Sequence, residues 1–115
     1  MLYKVSEVTR EFGVTVRALR FYEERGLLKP VRVGTHRRYT TDDKTRIASI
    51  LKGKALGLTV TEIAEMLTPD GQLKLSVKEI DAQLRHYNRQ RKEIEATIAE
   101  LEKERAAQRE APRAR

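Results

Sequence analysis

The sequence predicts a mainly α-helical protein in which a winged helix-turn-helix is followed by a long coiled-coil helix. Three observations lead there. Two short amphipathic segments are separated by a glycine-containing turn at residues 13–15. A basic, alternating stretch with its own Gly-Thr turn follows at residues 31–39. From Val77 onward the apolar period changes to alternating steps of three and four.

The first helix is expected over Ser6–Phe12, where Val5, Val8 and Phe12 are spaced to face a core. Ser6 is its expected N-cap, since a hydroxyl there accepts a hydrogen bond from an orphan backbone N–H. Gly13 stops it, because glycine enters the left-handed conformation without strain. Thr15 caps a second helix that ends at Arg25-Gly26. Helix, three-residue turn with glycine, helix is the helix-turn-helix pattern, and Thr9 and Leu19 suit its interior. The plainer alternative is an αα-hairpin that merely packs.

Val31-Arg32-Val33 alternates apolar and polar, Gly34-Thr35 turns, and Arg37-Arg38-Tyr39 returns as a strand. Such a hairpin is marginal alone and must pack on the helices. Arg32, Arg37 and Arg38 sit near its tip, where cations are placed to neutralise phosphates; a solvated basic loop is the plain alternative. His36 reads as a turn residue.

Thr40 opens a third helix, with Asp43 completing a capping box and Asp42 favouring the positive helix end. Ile47, Ile50, Leu51 and Ala55 form its expected buried stripe, and Gly57 stops it. Thr59 and Glu62 make a second capping box ahead of Ile63, Met66 and Leu67. Pro69-Asp70-Gly71 is the clearest internal boundary, separating a domain at 1–70 from a segment at 71–108.

Ser76 and Glu79 make a third capping box, and a heptad seam follows. Val77, Leu84, Arg91, Ile98 and Arg105 take the a positions, and Ile80, Tyr87, Ile94 and Leu101 the d positions. A helix over 77–108 is ~48 Å long at ~1.5 Å per residue. One apolar seam on a lone helix has nothing to bury against, so a second copy of the chain is expected, making a homodimer. A polar a-position residue such as Arg91 more often fixes register or orientation, at some cost in stability. The seam fades after Leu101, and Ala106–Arg115 is expected to fray, with 109–115 as a tail.

Composition narrows the function classes. At 115 residues there is room for one small domain with an appendage. The absence of cysteine excludes disulfides, thiolate metal sites and thiol redox sensing. His36 and His86 show no metal-ligand spacing, so neither a metal nor another cofactor is expected. With no nucleophile–base pairing and no phosphate-cradling glycine loop, an enzyme is not expected either. No apolar run approaches the ~20 residues of a membrane span and no signal-peptide core opens the chain. A cytoplasmic protein with no membrane partner is expected. Residues 1–60 carry 13 Lys/Arg against 6 Asp/Glu, whereas 61–115 carry 11 of each. All of the excess positive charge lies in the first half, as a polyanion-binding module would have it.

Three stretches, VSEVTREFGVTVRALRFYEERGLL at 5–28, RRYT at 37–40 and KALGLTVTEIAEML at 54–67, resemble the MerR family of bacterial transcription regulators. The resemblance covers about residues 3–67, and the helix at 76–108 suits the family's dimerisation helix. It implies a homodimer with the long helices antiparallel, bound to a near-palindromic site in double-stranded promoter DNA. It implies bending and untwisting of that DNA, which realigns promoter elements for RNA polymerase. The family's effector domain or cysteine loop beyond the dimerisation helix has no counterpart in these 115 residues, so the resemblance assigns no metal or drug signal.

Thr15, Val16, Arg17, Arg20, Phe21 and Tyr22 of the second helix, with Arg37, Arg38 and Tyr39 of the wing, form the candidate DNA-binding set. Val16 and Leu19 also suit packing against the first helix. Arg17 and Arg20, near one helical turn apart, suit the major groove, where the guanidinium fork matches guanine or phosphate. Phe21 and Tyr22 either support that contact by packing or touch DNA themselves. Arg37, Arg38 and Tyr39 suit phosphate positioning, which fixes register without reading sequence. Lys52 and Lys54 are weaker candidates. Val77, Ile80, Leu84, Tyr87, Arg91, Ile94, Ile98 and Leu101 form the dimerisation set. Two rival readings are an architectural or excision-type DNA-bending protein with no promoter role, and an interaction protein whose coiled coil recruits a partner.

Overall fold

In the computed structural model, which describes residues 1–111, Leu2–Lys4 forms a strand (β1) that the sequence patterning does not announce. Three residues are too few to show a period, and this strand exists through a distant partner. It pairs antiparallel with the returning strand of the hairpin, Tyr3 opposite Tyr39 and Lys4 opposite Arg38. The hairpin itself is as expected: Val31–Val33 (β2) and His36–Thr40 (β3) pair antiparallel, so the sheet order is β1-β3-β2. His36 is the first residue of β3, opposite Val33, rather than a turn residue.

The first helix (α1) runs Val5–Phe12, one residue earlier than expected. Pairing of Lys4 in β1 leaves that residue extended, and it serves as the N-cap in place of Ser6. The Glu7 carboxylate accepts the Lys4 N–H at 3.1 Å, while Ser6 lies inside the first turn and gives its carbonyl to the Thr9 hydroxyl. Gly13, at φ 64°, turns the chain into α2, Val16–Glu24. The Thr15 hydroxyl caps α2 by accepting the Ala18 N–H at 3.0 Å.

Thr41–Ala55 forms α3, Val60–Met66 α4 and Val77–Glu110 α5, each opened by the expected capping box. Asp43 does more than cap. It is buried, its Oδ2 accepts the Thr40 N–H and its Oδ1 the Lys29 N–H, both at 3.0 Å. One carboxylate thus ties the segment leaving α2 to the start of α3. Ile47 and Ile50 are buried as expected, but Ala55 is exposed. The buried face of α3 passes through Ser49 and Gly53 instead, because α4 lies over Gly53. A Cβ on Gly53 would meet Ile63 Cγ1 at 2.6 Å, so glycine permits that approach.

The first unit, Met1–Leu75, has one core, built from Val8, Leu19, Tyr22, Leu27, Leu28, Tyr39, Ile47, Ile50, Leu58 and Ile63. The turn at Pro69–Gly71 is fastened to α3: Arg46 Nη2 donates to the Pro69 carbonyl and Ser49 Oγ to the Gly71 carbonyl, each at 2.6 Å. The chain then doubles back, Lys74 N–H bonding the Met66 carbonyl, and Leu73 and Leu75 pack on the core.

The second unit begins at Ser76. No residue of α5 is buried in the single chain. Residues 106–110, expected to fray, are helical, since alanine, glutamine, arginine and glutamate all favour helix without a seam. Residues 112–115 of the expected tail lie outside the described residues. Among the described residues no helix is long and apolar enough to cross a membrane.

Tyr39 lies at the centre of the sheet with its ring in the core. Burial first, and then the nearby Glu23 carboxylate, push its phenol from 10.0 up to about 12. A raised folded-state value gives stability that is full below pH 10 and lost as pH rises through about 12. Absorbance titration is expected to show one of the four tyrosines ionising only near pH 12, together with unfolding. Tyr39→Phe should abolish that late step; its survival would assign the step elsewhere.

Candidate nucleic-acid interface

Helix α2 shows two faces. Leu19 and Tyr22 point into the core, while Val16, Arg17, Arg20, Phe21 and Glu24 remain exposed. Val16, expected to pack against α1, is 46% exposed. The aromatic pair is divided: Tyr22 is buried, whereas Phe21 is 40% exposed and meets the Tyr22 ring edge-on at 6.0 Å. Arg25 covers part of the Phe21 ring at 5.7 Å and donates to the Thr61 hydroxyl at 2.6 Å, joining the end of α2 to α4.

Two depressions flank the exposed face. One is a groove of about 370 Å³ between α2 and the hairpin, lined by Arg20, Arg32, Arg37 and His36 together with Val16 and Tyr39. The other, of about 290 Å³, lies toward α3 and α4 and brings Arg17 and Phe21 beside Lys54. The structure therefore gathers Arg17, Arg20, Phe21 and Val16 on one surface, with Lys54 at its border. It does not gather all of the predicted set. Thr15 caps α2 and stays exposed at the edge of the second depression, whereas Tyr22 and Tyr39 are buried core residues that lie beneath these depressions.

The wing arginines differ from one another. Arg37 is half-buried, its Nε 3.0 Å from Glu23 Oε1 on α2. The Glu23 side chain is only 12% exposed and neither of its oxygens accepts a well-aligned hydrogen bond, so the ion pair with Arg37 is its compensation. Arg38 is half-buried too, and its Nη1 donates to the Arg37 carbonyl at 2.9 Å. Arg32, opposite Arg37 across the hairpin, is exposed. It sits in the wing stretch but outside the candidate set, and its signal is the alternation Val-Arg-Val, which places it on the same ribbon face as Arg37. Among the described residues, no group of three or more His, Cys, Asp or Glu side chains gathers as a metal site would.

The seam residues of α5 are displayed together. Val77, Ile80, Leu84, Tyr87, Ile94, Ile98 and Leu101 are all exposed in the single chain, and Arg91 Nε lies 3.8 Å from Glu95 Oε1 one turn on.

Residues 3–69 match the family model for MerR HTH family regulatory proteins, and residues 45–109 match the MerR DNA-binding model. The chain belongs to the MerR family of transcription regulators. The HTH-type transcriptional regulator SkgA of Caulobacter vibrioides is 34% identical over 108 residues, covering 88% of this MerR-family chain and 42% of SkgA. The chain thus spans less than half the length of that relative. A MerR-family regulator from Bacillus cereus has a similar structure, with a TM-score of 0.76 at 25% identity over 100% of this chain and 88% of that one. HiNmlR, a MerR-family regulator lacking the sensor domain and bound to promoter DNA, is similar over 90% of this chain and 77% of its own, with a TM-score of 0.53 at 25% identity.

Proposed function

We propose that this MerR-family chain acts as a homodimer that binds a near-palindromic promoter site and bends and untwists the DNA to control transcription by RNA polymerase in the cytoplasm. The observation that carries the reading is the exposed face of α2, where Arg17 and Arg20 stand free of ion pairs among the described residues, beside a hairpin bearing further cations. The promoter DNA bound by HiNmlR supports the same use of a similar fold. In this reading the unit Met1–Leu75 contacts DNA, α2 enters the major groove, and the wing holds phosphates. Arg17 and Arg20 read bases or grip phosphates, and Phe21 offers an apolar edge between them.

Dimerisation is assigned to α5. Its apolar seam is uncovered along four heptads, and the cheapest cover is a second α5. Antiparallel pairing avoids placing Arg91 directly against its own copy, as an in-register parallel pair would. A smooth bend costs about 1–6 kcal/mol, offset by phosphate contacts from both halves of the dimer.

The test is binding of the DNA upstream of its own gene across a salt series, with footprinting. Log K is expected to fall with log[salt] by about 0.9 per neutralised phosphate. Protection should fall between the two promoter elements. A flat salt response would remove the DNA-binding assignment, and a salt-dependent footprint away from promoters would favour an architectural DNA-bending role.

A further inference from the structure

We infer that Arg32 is the wing's phosphate-binding arginine, and that Glu23 of α2 holds Arg37 as a strut that sets where the wing stands. This rests on the DNA-binding reading above and gives the wing arginines separate tasks.

The hairpin register places Arg32 directly opposite Arg37. Like charges in that position repel, and the pair weakens a short ribbon unless one charge is answered. The answer comes from α2. Glu23 lies against Arg37 at 3.0 Å, in a place largely shielded from water, where neither carboxylate oxygen accepts a well-aligned hydrogen bond. Each charge is needed by the other, since a lone buried carboxylate is costly to leave uncompensated. The contact crosses from the helix to the wing, so it fixes their spacing. It also uses up the positive charge that Arg37 would bring to a phosphate.

Arg32 remains. It is exposed, forms no ion pair among the described residues, and lines the same groove as Arg20. With Arg37 neutralised by Glu23, the net positive charge of that groove comes from Arg20 on the helix side and Arg32 on the wing side. A phosphate lying between α2 and the wing meets these two. Glu23 and Arg37 act as positioning residues.

The experiment compares Arg32→Ala, Arg37→Ala, Glu23→Gln and the double variant E23Q/R37A. Thermal unfolding is measured without DNA, and binding is measured over a salt series on a duplex obtained by in vitro selection with the unaltered protein. Arg32→Ala should lower the salt slope by about 0.9 for each phosphate left without its cation, with its Tm unchanged. Arg37→Ala should lower the Tm and weaken binding while keeping the slope. Adding Glu23→Gln to Arg37→Ala should raise the Tm again, because the stranded carboxylate is then neutral. A salt slope that falls for Arg37→Ala, or holds for Arg32→Ala, overturns the division of tasks. A double variant no more stable than Arg37→Ala overturns the strut. If the unaltered protein binds no DNA, the DNA-binding reading fails and takes the Arg32 assignment with it, whereas the comparison of melting temperatures still decides the strut.

Discussion

Asp43→Ala is expected to lower folding stability by about 2–6 kcal/mol, a large share of the about 5–15 kcal/mol typical of a domain. The expectation follows from what the carboxylate holds. It accepts backbone N–H groups from Lys29 and Thr40, and both donors lose their partner when it is truncated. Each donor left unsatisfied costs about 1–3 kcal/mol, while the Thr40 hydroxyl still accepts the backbone N–H of residue 43 and keeps its part of the cap. The damage is not confined to α3, because Lys29 lies on the path from α2 to the wing. Denaturant unfolding followed by far-ultraviolet circular dichroism gives the number. A loss below about 1 kcal/mol would mean that water replaces the carboxylate at both donors.

Replacing Ile94 and Ile98 together by aspartate is expected to abolish dimerisation and weaken operator binding by about 10²–10⁴-fold, the gain that a second linked site ordinarily provides. Both positions are exposed in the single chain and belong to the α5 seam, so the change removes no part of the core of Met1–Leu75. Two aspartates facing a partner helix would bury charge without a counter-ion, which the pair escapes by separating. Sedimentation should give the 13.3 kDa chain rather than twice that mass. A variant that stays dimeric would show that the copies meet elsewhere, and one that is monomeric but binds as tightly would show that a single unit suffices.

Features that depend on neighbours in sequence are legible from the sequence alone. Thr40 with Asp43, Thr59 with Glu62 and Ser76 with Glu79 are each three residues apart, and each caps its helix as expected. Gly13 and the Gly34 turn belong with them, since a positive φ is a property of one residue. The features that local patterns miss depend on partners distant in the chain. Strand β1 needs Tyr39, thirty-odd positions away, and its pairing in turn shifts the cap of α1 from Ser6 to Lys4. Phe21 and Tyr22 are adjacent large aromatics on a helix, and only the packing of Leu19 and Tyr22 against the core decides which of them faces out. Arg37 carries the same composition signal as Arg38 and Arg32. Its pairing with Glu23 spans two elements that no local pattern connects.

The central place of β3 has a practical consequence for anyone handling this protein. Its far edge is closed by Leu2–Lys4, so residues 2–4 and the first wing strand pair with the same central strand. Purification tags, fluorescent fusions or trimming at the amino end therefore act on the wing as directly as a substitution in the hairpin would. Binding data taken with amino-terminal fusions should be compared with data from the untagged chain.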